Sequence, residues 1–128
     1  MRLLLDTSTF LWIITDAPEL SPRARDLFLD PANEVYLSSV SAWEMAVKHS
    51  LGRLPFPEPP ERFVPAQRKD HGIEPLPLDE EDALHLARLP LLHKDPFDRM
   101  LVCQAIVHGL VILTSDKLVY QYPVRTMW

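Results

Sequence analysis

A single cysteine, Cys103, excludes disulfide stapling within the chain and points to a reducing compartment, so a cytoplasmic location is expected. Cys103 sits among apolar neighbours, Met100 to Ile106, with no adjacent base to activate it, and is read as structural rather than nucleophilic. No apolar run approaches the roughly 18 residues that cross a bilayer. The short N-terminal run, Met1 to Leu5, is broken by Asp6 and is expected to be neither signal peptide nor anchor. Positive charge is not in excess either: 13 Lys and Arg against 18 Asp and Glu give −5. That balance argues against a protein that coats nucleic acid through a basic surface, but not against an enzyme that cuts it. Paired cysteines and a His-x-x-x-His spacing, both signs of a zinc site, are missing. The remaining composition, 47% apolar and 24% charged, is ordinary for a globular protein, and 128 residues suffice for one domain, 1–128, with a substantial core.

Apolar runs alternate with helical patterns. Leu3 to Leu5 reads as a buried strand, followed by a helix carrying Phe10, Leu11, Trp12 and Ile14. Ser21 and Pro22 form a cap and first turn for a helix through Leu29. Val35 to Leu37 is a second strand, leading into a helix from Val40 to Leu51 that Gly52 ends. The proline-dense stretch 55–60 cannot be helix interior, and a helix follows from Glu61 to Lys69. Ile73 to Leu76 is a short strand; Asp79 with Asp82 opens a helix from Glu80 to Leu89. Asp95 and Pro96 open another, ending at His108 and Gly109, before strands at Leu110 to Leu113 and Val124 to Trp128. Strands separated by helices predict a three-layer α/β/α sandwich around a mainly parallel sheet.

Four acidic residues fall at the ends of these elements: Asp6, Glu44, Asp98 and Asp116. Ligands of parallel sheets collect beyond the carboxyl ends of the strands, where Asp6 and Asp116 both fall. Carboxylates brought together there repel one another, and divalent cations neutralise them. Each also has a plainer reading: Asp6, Asp95 and Asp116 suit helix caps, and Glu44 could be solvated. Asp98, one turn into its helix, is the better ligand of the Asp95 and Asp98 pair, and Arg99 could steady a carboxylate or meet a phosphate. Basic residues including Lys48, His49, Arg53, Arg62, Arg68, Lys69, His93, Lys94 and Arg99 could flank a nucleic-acid backbone. Trp12, Trp43, Phe97 and Met100 are expected in the core, Trp128 against the sheet, and Leu51 with Phe56 as an exposed apolar patch.

The segments Leu3 to Ser8, Val40 to Lys48, His93 to Ala105 and Leu113 to Asp116, in this order and spacing, resemble the PIN-domain ribonucleases, in particular the VapC-type toxins. The likeness runs along essentially the whole chain. It implies a PIN-like fold and a Mg²⁺- or Mn²⁺-dependent endoribonuclease that cuts RNA. It also implies a homodimer held inactive by a small cognate antitoxin protein. Carried over by position, the catalytic and metal-binding acids are Asp6, Glu44, Asp98 and Asp116, with Asp95 as an additional metal-site carboxylate. Thr7, Ser8 and Thr114 match small hydroxyl positions around them, although Ser8 stands where many relatives have histidine.

Hard oxygen donors favour Mg²⁺ or Mn²⁺ over zinc. None of the five histidines has a neighbour pattern that suggests a general base, so activation of the nucleophile is assigned to metal-bound water with a carboxylate accepting its proton. Two rivals differ in class. One is a non-catalytic interaction module whose acids only cap helices; the other is a phosphatase using Asp6 as nucleophile, disfavoured by Ser8 two residues on.

Overall fold

Leu3, Leu4 and Leu5 are all fully buried, which is possible only for a strand covered on both faces. In the computed structural model, which describes residues 1–128, they form β1 (Arg2–Leu5), the centre of a five-stranded parallel sheet. Its neighbours are β2 (Glu34–Ser38) and β4 (Val111–Leu113), with β3 (Glu74–Leu76) and β5 (Thr126–Met127) at the edges, in the order β3-β2-β1-β4-β5. Leu3 lies beside both Val35 and Val111, and Leu5 beside Leu37 and Leu113.

Alternation along the strands divides the core in two. Leu3, Leu5, Val35, Leu37, Val111 and Leu113 point to one face. There they pack with Phe10 and Ile13 of α1 (Thr7–Thr15), Ala24 of α2 (Pro22–Leu29), Met45 of α3 (Ser39–Ser50) and Val64 of α4 (Pro60–Asp70). Leu4 and Ile112 point to the other, against Leu101, Val102, Cys103 and Ala105 of α6 (Pro96–His108). The architecture is thus three-layer α/β/α.

The expected helix from Glu80 to Leu89 is interrupted. α5 covers only Glu80–Leu84 and continues as a 3₁₀ turn over His85–Arg88, which ends where Pro90 holds Leu89 extended (ψ 128°). A buried polar network ties α5 and α6 to the sheet. The Gln104 carboxamide accepts from Ser38 Oγ and donates to the Pro77 carbonyl at 3.1 Å. Asp82, fully buried, accepts from the Asp79 backbone N–H at 2.9 Å, and its other oxygen lies 2.8 Å from His108 Nε2.

Aromatic placement differs from expectation at two positions, Trp43 and Phe56, the latter half-buried against the core rather than part of an exposed patch with Leu51. Trp43 is 57% exposed, because α3 buries the face carrying Val40, Ser41, Glu44 and Met45 and turns Trp43 away from it. It meets Phe97 edge-on at 4.8 Å. Trp12, Phe97 and Met100 are half-buried against the two core clusters. Trp128 contacts Trp12 at 5.8 Å, and Phe56 lies between His49 and Phe63 while Leu51 stays exposed. No helix is long and apolar enough to cross a membrane.

Candidate active site

β1 leads forward to β2 on one side, whereas β4 joins β1 from the other, so strand order reverses between β1 and β4. The crevice at such a reversal, outside the carboxyl ends, is where open parallel sheets bind ligands. Asp6 follows β1 and Asp116 follows β4 by three residues, flanking that crevice. α3 brings Glu44 to it and the first turn of α6 brings Asp95 and Asp98. The resulting cleft, about 290 Å³, is lined by all five carboxylates with Thr7, Ser8, Trp12, Lys48 and Ser115.

Hydroxyls hold the acids in place. Thr114 Oγ1 donates to Asp6 Oδ2 and accepts the Asp116 backbone N–H at 3.0 Å, so one side chain aligns two acids from opposite sides of the crevice. Thr7 Oγ1 donates to Glu44 Oε1 at 2.6 Å, and Lys48 Nζ donates to Glu44 Oε2 at 2.5 Å. Thr9 Oγ1 donates to the Leu113 carbonyl at 2.9 Å, tying α1 to the end of β4. The capping roles anticipated for Asp6, Asp95 and Asp116 exist alongside: Asp6 Oδ1 accepts from Thr9 N, Asp95 Oδ1 from Phe97 N and Asp98 N, and Asp116 Oδ1 from Leu118 N. Glu44 and Asp98 cap nothing. Glu44 is 5% exposed.

The electrostatics are those of a cluster short of positive charge. Burial pushes the Asp98 carboxyl up to about 7, reinforced by the charges of Asp95, Asp6 and Glu44 and opposed by a hydrogen bond from His93. Burial also raises Asp6, against the hydrogen bonds from Thr114 and Thr9. The bond to Glu44 raises Lys48, which stays cationic.

His93 stands beside two acids of the site, although nothing in its sequence neighbourhood suggests a general base. Its Nε2 lies 3.1 Å from Asp98 Oδ2 and 3.7 Å from Asp116 Oδ2, and with these two acids it forms a group whose ligand atoms all lie within 4.8 Å. The loop before α6 folds His93 back over the helix start, with the Asp95 N–H 3.4 Å from its Nδ1. Five residues from Asp98 in an irregular segment, this contact has no periodic signal in the sequence. Arg99 points elsewhere, toward the Leu89 carbonyl at 3.5 Å. The Cys103 thiol is buried and its pKa raised by that burial, away from the cleft. A second cation-capable group, Asp79, Asp82 and His108, lies at the far end of α6. The α5 capping box and the contact of Asp82 with His108 account for its geometry.

A family model for the PIN domain matches residues 3–124, and the chain belongs to that family. It is 39% identical over 63 residues to Ribonuclease VapC16 of Mycobacterium tuberculosis, a match spanning 49% of this chain and 45% of that protein, less than half its length. Among solved structures, it resembles a chain of VapBC2 from Rickettsia felis bound to a DNA fragment from their promoter (TM-score 0.74, 15% identity, 100% of this chain and 99% of that one). It also resembles DNA-bound VapBC from Salmonella typhimurium (0.70, 21%, 99% and 97%). A third likeness is VapBC-5 of Mycobacterium tuberculosis, a member of the VapBC family of toxin–antitoxin systems (0.55, 21%, 94% and 89%).

Proposed function

We propose that the chain is a divalent-metal-dependent endoribonuclease, the toxin of a toxin–antitoxin pair. One observation carries this reading: five carboxylates from separate stretches of sequence converge on one cleft, where burial and the charges of Asp95, Asp6 and Glu44 push the Asp98 carboxyl up to about 7. A fold that gathers such charge without matching cations is complementary to a hard dication.

Asp6, Glu44, Asp98 and Asp116 would hold Mg²⁺ or Mn²⁺, with Asp95 beside them. When bound, such an ion supplies Lewis-acid stabilisation of charge on the scissile phosphate and lowers the pKa of the attacking water. The chain's own part is alignment: Thr114 fixes Asp6 and Thr7 fixes Glu44, while a carboxylate of the cleft accepts the proton of the attacking water. RNA as substrate is supported by the partial match to a ribonuclease, and a cognate antitoxin by the VapBC likenesses. A homodimer acting in the cytoplasm completes the proposal.

The test is cleavage of single-stranded RNA with Mg²⁺ present. Asp6→Asn and Asp98→Asn should each lower the rate by at least about 100-fold, with circular dichroism unchanged. Undiminished cleavage by either folded variant refutes the assignment. If the acids were only caps, Mg²⁺ would leave the melting temperature of the wild-type protein unmoved.

A further inference from the structure

A cleft lined by five carboxylates is a poor receptor for a phosphodiester. Two bound divalent cations would offset four of its five negative charges if every acid were ionised, leaving one for a side chain to balance. Lys48 is the only Lys or Arg lining it. It stands one helical turn after Glu44, and one of its three donors meets Glu44 Oε2 at 2.5 Å. Its side chain is 44% exposed, so the ammonium borders the open cleft rather than being enclosed. The two ends of the pair differ in environment: the Glu44 side chain is 6% exposed, whereas Lys48 reaches the open cleft. Glu44 needs no second partner for its orientation, because Thr7 already binds the other oxygen.

We propose that Lys48 is the substrate-phosphate contact of this site: its ammonium bridges Glu44 and a non-bridging oxygen of the RNA backbone, admitting an anionic strand to an acidic cleft. This rests on the nuclease reading and adds the residue that meets the substrate. Lys48 would act by charge and position and would take no part in proton transfer.

The experiment measures binding of a fluorescent single-stranded RNA oligonucleotide by anisotropy, with Ca²⁺ as the divalent ion, from about 50 to about 200 mM salt. Steady-state cleavage with Mg²⁺ runs in parallel. Lys48→Gln should bind about tenfold more weakly, and the slope of log affinity against log salt should become shallower by about 0.7, the value for one lost contact to a single strand. KM should rise more than kcat falls. Lys48→Arg should restore the slope. Arg125→Gln makes the same change in net charge before β5, away from the carboxyl ends of the strands, and should leave the slope alone. Mg²⁺ affinity, read from the thermal shift, should stay level or tighten in Lys48→Gln, since Glu44 is released. An unchanged slope in Lys48→Gln, an equal change in Arg125→Gln, or a loss fully explained by weaker Mg²⁺ binding each overturns the assignment of Lys48 alone. If the wild-type protein neither binds nor cuts RNA, the nuclease reading falls and takes this one with it.

Discussion

Replacing Asp98 by asparagine should stabilise the metal-free protein at pH 8 while abolishing the proposed activity. The Asp98 side chain is only 18% exposed, and burial together with the charges of Asp95, Asp6 and Glu44 raises its pKa to about 7. An unfolded-chain aspartate titrates near 3.9. Between those values the folded state holds a proton that the unfolded chain has released, so stability must fall as pH rises through the window. The accumulated cost at pH 8 is on the order of 4 kcal/mol. Asp98 occupies the third position of α6, where a negative charge recovers less than about 1 kcal/mol from the helix dipole, too little to reverse the sign. Asparagine keeps the shape, can still accept from His93 Nε2, and carries no charge. Urea denaturation in EDTA should therefore show wild-type stability declining from pH 5 to pH 8 and Asp98→Asn declining less, with the raised Asp6 carboxyl still contributing. The two should agree near pH 4 and differ by a few kcal/mol at pH 8. Excess Mg²⁺ should close the gap by restoring the wild-type protein, about 2.7 kcal/mol at a hundredfold excess over Kd, with little effect on the variant. If Asp98→Asn is no more stable than wild type at pH 8 in EDTA, the carboxylates are not crowded as described.

Much of this site was legible because its parts lie in regular structure. Asp6 and Asp116 could be placed because each follows an apolar run too short to be anything but a buried strand, and strand ends in a parallel sheet share one edge. Glu44 and Asp98 could be placed from helical phase. Trp43 could not, since hydrophobicity argues for burial while only the packing of α3 decides which residues beside Glu44 turn outward. His93 was invisible for a different reason: it lies in a loop whose path depends on tertiary contacts, so neither period nor capping chemistry locates its ring beside Asp98. Gln104 reads from sequence as one polar residue among apolar ones, and nothing local shows that it spans Ser38 and Pro77 across a buried layer. The tightening into a 3₁₀ turn at His85 carries no local sequence signal, whereas the extended Leu89 follows from Pro90.

Three further perturbations separate fold from site. Leu4→Ala, in the central strand against α6, should cost about 2–5 kcal/mol in urea denaturation; a cost below about 1 kcal/mol would contradict the two-faced packing of β1. His93→Ala removes a hydrogen bond that favours ionised Asp98, so the pH at which Mg²⁺ begins to raise the melting temperature should move upward; no movement would mean that His93 does not hold that carboxylate. Thr114→Val keeps the side-chain shape but deletes the hydroxyl shared by Asp6 Oδ2 and the Asp116 backbone N–H, leaving a buried carboxylate oxygen without its donor. Stability should fall by about 1–3 kcal/mol and Mg²⁺ affinity by about 10- to 100-fold, read from the Mg²⁺ dependence of the melting temperature. Ser38→Ala supplies the contrast, because the buried Ser38 hydroxyl meets Gln104 and the Val40 N–H and no acid of the cleft. It should reduce stability to a similar extent and leave Mg²⁺ affinity unchanged. If both variants lost stability but neither lost affinity, the Thr114 hydroxyl would be holding α1 and β4 together rather than aligning acids for a cation.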